Sequence, residues 1–142
     1  MNFTSNKLTI ITQPDIKVAC VKSTSGISGS KEAFDKLESR MSSLKGRKMY
    51  GVFYPSKKEY LACVQLDDKN SDSMGFEITL IPGGKYVQEK LKDWSNRIPE
   101  IGLTFNKLAK NAVDNGLVID EEGPCIEFYR SVKELVISLP IK

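Results

Sequence analysis

The chain has 142 residues, 40% hydrophobic and 27% charged, with 21 Lys and Arg against 18 Asp and Glu for a formal charge of +3. That length and balance suit one domain with a real hydrophobic core and exclude a disordered chain. Histidine is absent, which excludes His-dependent triads and histidine general bases.

In chain order, Met1 to Lys7 lacks the apolar core of a signal peptide. No later run approaches the roughly 18 apolar residues of a membrane helix, so a cytoplasmic protein is expected, without a membrane partner. Leu8 to Ile11 and Lys17 to Lys22 are rich in β-branched residues on either side of Pro14-Asp15 and read as a bent or edge strand. A helix follows, started by Ser30 with Glu32 in its first turn, and Phe34, Leu37, Met41 and Leu44 recur at helical spacing until Gly46 stops it. Met49 to Tyr54 and Tyr60 to Leu66 form a hairpin around Pro55 to Glu59. Asp67 to Ser73 is polar and without apolar anchors, and reads as a linker. Phe76 to Ile81 and Lys85 to Leu91 are strands flanking Pro82-Gly83-Gly84. A second helix presents Ile101, Phe105, Leu108, Ala109 and Ala112 before Asn115-Gly116 ends it, and Cys125 to Tyr129 with Glu134 to Leu139 forms a second hairpin.

The chain nearly repeats itself. Tyr54-Pro55-Ser56-Lys57-Lys58-Glu59 returns as Tyr129-Arg130-Ser131-Val132-Lys133-Glu134 at an offset of 75, Phe34-Asp35-Lys36-Leu37 returns as Phe105-Asn106-Lys107-Leu108 at 71, and Pro14 to Val18 returns as Pro82 to Tyr86 at 68. The fold class is therefore α+β: two pseudo-twofold-related β-α-β-β units form a joined antiparallel sheet with two helices. As domains, residues 1–142 form one unit, with a first half at about 8–66, a linker at about 67–75 and a second half at about 76–142.

Strand alternation puts Cys125, Glu127 and Tyr129 on one face and Ile126 and Phe128 on the other, with Phe128, like Phe53, expected under a helix. The offset of 75 maps the first set onto Tyr50, Val52 and Tyr54, so a pseudo-twofold would gather three tyrosines and one carboxylate around one space. A carboxylate among aromatic rings needs a partner, which can be a tyrosine hydroxyl, a lysine, water or a bound cation. It also suits a general acid or base. The competing reading leaves Glu127 on an exposed outer sheet face. Tyr50, Tyr54 and Tyr129 can equally be packing residues, Tyr86 can merely fill volume, and Trp94 is either a pocket lid or a core residue.

Cys20, Cys63 and Cys125 are odd in number and separate, which fits reduced thiols rather than a disulfide framework; with no histidine, neither a metal site nor a cofactor is expected. Lys45-Gly46-Arg47-Lys48 is too short a basic stretch to indicate direct nucleic-acid binding. Pro82-Gly83-Gly84-Lys85 lacks P-loop spacing, and its match to Pro14-Asp15-Ile16-Lys17 makes it a strand bend.

Ile81-Pro82-Gly83-Gly84-Lys85-Tyr86, the helix after Trp94, and Gly123-Pro124-Cys125-Ile126-Glu127-Phe128-Tyr129 together resemble the GyrI-like small-molecule-binding domain, over roughly Leu8 to Ile141. The resemblance implies a groove between the halves for lipophilic, often cationic, small molecules, with a central glutamate that carries over onto Glu127 and a tyrosine that carries over onto Tyr129. Many relatives join this domain to a helix-turn-helix; only seven residues precede Leu8, so a stand-alone member is expected. Stand-alone members include drug-binding proteins, a gyrase-inhibiting protein and hydrolases of cyclopropane-containing compounds. Three functions are thus implied: binding, with Glu127, Tyr129, Tyr54, Tyr50, Trp94 and Tyr86 as ligand contacts; hydrolysis, with Glu127 and Tyr129 catalytic; or contact with gyrase, which no charged stripe supports.

Overall fold

A computed structural model describes residues 8–142, so the reading of Met1 to Lys7 lies outside the described residues. Eight strands and two helices follow in the order β1 (Thr9–Gln13), β2 (Ile16–Lys22), α1 (Ser30–Glu38), β3 (Met49–Tyr54), β4 (Glu59–Gln65), β5 (Glu77–Ile81), β6 (Gly84–Lys92), α2 (Glu100–Asp114), β7 (Cys125–Tyr129) and β8 (Glu134–Pro140). A short 3-10 turn precedes each helix, at Gly26–Gly29 and Trp94–Asn96. All strands join one antiparallel sheet in the order β1-β6-β8-β7-β3-β4-β2-β5. Exchanging each first-half strand for its second-half counterpart leaves that order unchanged. The class is α+β, with β3 and β7 paired at the centre of symmetry.

What reads as one bent strand opening each half is two strands with different neighbours. Proline cannot donate to a ladder, and the chain breaks at Pro14-Asp15 and at Pro82-Gly83. β2 pairs with β4 of its own half, whereas β1 crosses to β6 of the other; β5 likewise crosses to β2. β1 and β2 therefore lie near opposite ends of the sheet although two residues join them, a link that spans only about 10 Å. The sheet must curl until its two ends meet. At the meeting point the Gly83 amide donates to Asp15 Oδ1 at 2.6 Å, and a Cβ on Gly83 would press on the backbone of Gln13 to Asp15.

Curling explains why both faces of the sheet are buried with helices on only one. The inner face holds Val18, Cys20, Tyr50, Val52, Cys63, Ile81, Tyr86 and Ile126. On the outer face α1 seats Ala33 and Leu37 against Ala19, Val21, Ala62 and Val64, and α2 seats Leu108 and Ala112 against Val87, Leu91, Leu135 and Ile137. Phe128, expected under a helix, lies on the inner side and stacks on Tyr50 with ring centroids 4.8 Å apart.

The second helix ends as expected, at Asn115 and a left-handed Gly116 (φ 81°). The first is shorter than expected. It stops at Glu38, because Ser39, Ser42 and Ser43 compete for backbone hydrogen bonds, as the Ser39 hydroxyl does in donating to Lys36 O. Met41 and Leu44 fall beyond it. The cap is also displaced: Gly29 precedes the helix, and Ser30 is its first residue.

Candidate functional site

In the β3–β7 pair Glu127 lies directly across from Gly51, and Tyr129 across from Met49. Cross-strand partners share a face, and Met49 packs with the α1 layer. Glu127 and Tyr129 therefore point to the outer, helix-bearing side. α1 covers the β2–β4 region and α2 the β6–β8 region. Glu127 stands between them, on the floor of the interhelical groove.

Three aromatic rings and one tyrosine from β4 build the walls. Phe34 of α1 meets Tyr129 edge-on at 5.4 Å and Tyr60 at 6.3 Å. Trp94, in the turn ahead of α2, meets Tyr129 edge-on at 5.0 Å, its indole N–H anchored on Ser131 O at 2.9 Å. Tyr60, 2% exposed, donates its hydroxyl to Glu127 Oε1 at 2.6 Å, and Tyr129 donates to the same oxygen at 2.7 Å.

Burial, and next the Glu127 charge, hold both phenols well above the usual tyrosine range. They stay protonated at neutral pH and act as neutral donors. Both converge on Oε1; among the described residues none donates to Oε2, and no Lys or Arg forms an ion pair with this carboxylate. The result is a half-buried carboxylate between aromatic rings, supported by two neutral hydrogen bonds and without an internal counter-charge. Such a group attracts a cation, and it can also accept a proton beside two proton donors.

Gly51 makes this arrangement possible. A Cβ at position 51 would occupy the space of the Tyr60 hydroxyl and Glu127 Oε1. Tyr60 and Glu127 meet across the central strand because that strand carries no side chain there.

Of the residues expected at the site, the structure brings together Glu127, Tyr129 and Trp94. Tyr50, Tyr54 and Tyr86 are not with them. Tyr50, Tyr54 and Val52 point to the inner face, opposite Glu127. Tyr50 donates to Gln65 Oε1 at 3.0 Å, Tyr86 donates to Pro82 O at 2.7 Å, and Lys57 covers the Tyr54 ring at 5.2 Å. Burial pushes the Tyr50 and Tyr86 hydroxyls up to about 12. The error has a definite origin. The first hairpin closes four residues between Tyr54 and Glu59, the second five between Tyr129 and Leu135. An offset of 75 aligns β4 with β8 face for face, but it is one residue out for β3 against β7. On a strand of period two, one residue inverts the face.

Tyr60, Gly51 and Phe34 are the site residues that the sequence reading passed over. Their signals were a glycine inside an otherwise apolar strand, and a tyrosine on the strand beside it. Cys125 shares the Glu127 face and is pushed up to about 11 by burial and then by Glu127, which keeps it a neutral thiol. One concavity, about 400 Å³, is lined by Pro55, Ser56, Ile119, Asp120 and Cys125 among others; a second of about 280 Å³ lies by Tyr54, Tyr86 and Pro124. Neither includes Glu127, whose groove is occupied by Phe34, Trp94 and Tyr129.

No protein-family model and no curated protein matches this sequence. Solved structures do match in fold. The C-terminal domain of EcmrR is 13% identical, with a TM-score of 0.68 over 96% of this chain and 97% of that one. A hydrolase from Listeria innocua is 16% identical, with a TM-score of 0.63 over 96% and 92%. SAV2435 bound to tetraphenylphosphonium is 9% identical, with a TM-score of 0.62 over 96% and 94%. At these identities the likeness establishes the fold. No helix among the described residues is long and apolar enough to cross a membrane.

Proposed function

We propose that this protein is a GyrI-like binder of lipophilic cations, with Glu127 as the anchor of the positive charge and Phe34, Trp94 and Tyr129 as the apolar walls. The observation that carries the reading is the Glu127 carboxylate itself. It is half-buried among rings, supported by two protonated phenols and free of any cationic side chain among the described residues. A cation of low hydration matches this environment, since it loses little on leaving water and gains both the carboxylate and the ring faces. A fold neighbour bound to tetraphenylphosphonium supports the same class of ligand. Because the rings fill the groove, binding requires Phe34 or Trp94 to swing outward.

The test uses Trp94, the single tryptophan of the chain, as reporter. Tetraphenylphosphonium titrated into the protein is expected to change Trp94 fluorescence saturably. Glu127→Gln is expected to weaken binding at least tenfold, about 1.4 kcal/mol. Equal affinity in parent and variant would remove Glu127 from the role of anchor.

A hydrolytic reading is favoured by one further observation: a carboxylate and two phenolic protons lie within hydrogen-bond distance, a base beside two acids. In that reading Glu127 orients water, and Tyr129 or Tyr60 protonates the leaving oxygen of an electrophilic substrate. Incubation with a cyclopropane-containing alkylator and product analysis separates the two readings. Consumption by the parent and not by Glu127→Gln marks an enzyme; recovery of intact compound marks a binder.

A further inference from the structure

Cys20 and Cys63 are 43 positions apart in sequence and face each other directly across the β2–β4 ladder. Antiparallel ladders alternate hydrogen-bonded and non-hydrogen-bonded pairs. Ser23 donates to Tyr60 O at 2.8 Å and Leu66 to Lys17 O at 2.8 Å, and both are pairs of this ladder's register. Counting in steps of two from either end makes Val21 with Ala62 and Ala19 with Val64 the hydrogen-bonded pairs. Cys20 with Cys63 is thereby a non-hydrogen-bonded pair, the class in which Cα atoms approach to about 4.5 Å and side chains lie closest. That separation is inside the range a disulfide accepts, at its short end. Both thiols are on the inner face, 4% and 0% exposed, in a cluster with Val18, Tyr50 and Val52.

We propose that Cys20 and Cys63 form a reversible intramolecular disulfide on exposure to a small hydroperoxide, with Cys125 remaining a free thiol. Cys20, 4% exposed and next to the edge strand β5, is the nucleophile, and Cys63, 0% exposed, is the resolving thiol. The Cys20 sulfur attacks the terminal peroxide oxygen, the O–O bond breaks, and the alcohol leaves with a proton. The Cys63 sulfur then attacks the Cys20 sulfenic acid, an S–S bond forms, and water leaves. Two thiols lose two electrons in total, and one hydroperoxide becomes one alcohol and one water. Entry lies beside β5, a five-residue edge strand whose Glu77 pairs with Cys20.

The test treats the full-length parent with tert-butyl hydroperoxide, unfolds it in guanidinium, alkylates the remaining thiols and maps the peptides by mass spectrometry. The expected result is loss of two of the three alkylatable thiols, a peptide pair joined through Cys20 and Cys63, alkylated Cys125, and recovery of all three thiols after dithiothreitol. Cys125→Ser, which leaves the pair untouched, is expected to form the same cross-link. Three alkylatable thiols after treatment, a sulfinic acid on a single cysteine, or a disulfide through Cys125 or between chains would each overturn the proposal.

Discussion

Gly51→Ala tests the site through its backbone. The added Cβ meets the Tyr60 hydroxyl, Glu127 Oε1 and the carbon bearing the hydroxyl, the last at 2.9 Å, so the Tyr60 ring and the carboxylate cannot both stay. The Tyr60–Glu127 hydrogen bond is charge-assisted and contributes about 1.5–3 kcal/mol; a buried hydroxyl left without a partner costs about 1–3 kcal/mol more. Alanine is favoured over glycine in a strand by about 0.5–1 kcal/mol, which offsets part of the loss. The net expectation is destabilisation of about 2–5 kcal/mol, measured as the shift in a urea unfolding curve followed by circular dichroism. Tyr60→Phe removes the atom nearest to the new methyl group. In that background Gly51→Ala is expected to cost at least about 1 kcal/mol less than in the parent, a coupling that a double-mutant cycle reads directly. A Gly51→Ala protein within about 0.5 kcal/mol of the parent, or strict additivity in the cycle, would refute the packing described for the site.

Alkaline titration is expected to find Tyr60 and Tyr129 silent. Their folded pKa values lie above the unfolded value near 10, so their contribution to stability is complete below pH 10 and falls as pH rises beyond it, by about 1.4 kcal/mol per pH unit for each group. Phenolate absorbance from these two should therefore appear together with unfolding, and early ionisation in Tyr60→Phe and parent alike would contradict the burial. Trp94→Phe is expected to keep the ring contact with Tyr129 but lose the bond to Ser131 O, costing about 1 kcal/mol in the same urea assay; no change would mean that the indole N–H is equally well hydrated.

How far the sequence announced this molecule depends on which periodicity is consulted. Alternation within Cys125 to Tyr129 correctly set Glu127 and Tyr129 on one face, because the argument stayed inside one strand. It failed when carried between strands through the repeat. The repeat is anchored by the hairpin turns, and those differ by one residue, which inverts Tyr50 and Tyr54 while leaving β4 and β8 in step. Tyr60 was legible only as a strand residue, since its meeting with Glu127 spans two ladders and depends on the absence of a side chain at Gly51. The early end of α1 followed from serines whose effect on a helix is local, whereas its apolar spacing continued past them to Leu44.

The exchange of β1 and β5 between the halves bears on how the chain can be divided. Each half lends a strand to the sheet of the other, so the connection between Gln65 and Glu77 is not what holds them together. A protease nick in that segment would leave two fragments that stay associated through three complete ladders, β1–β6, β2–β5 and β3–β7, and through the Gly83–Asp15 bond where the sheet closes. Conversely, a fragment made of either half alone would carry a strand with no ladder to enter and a curl with no far edge to meet. Such a fragment would recruit a second copy of itself, and the groove around Glu127, built from both halves, would exist only in the reassembled pair.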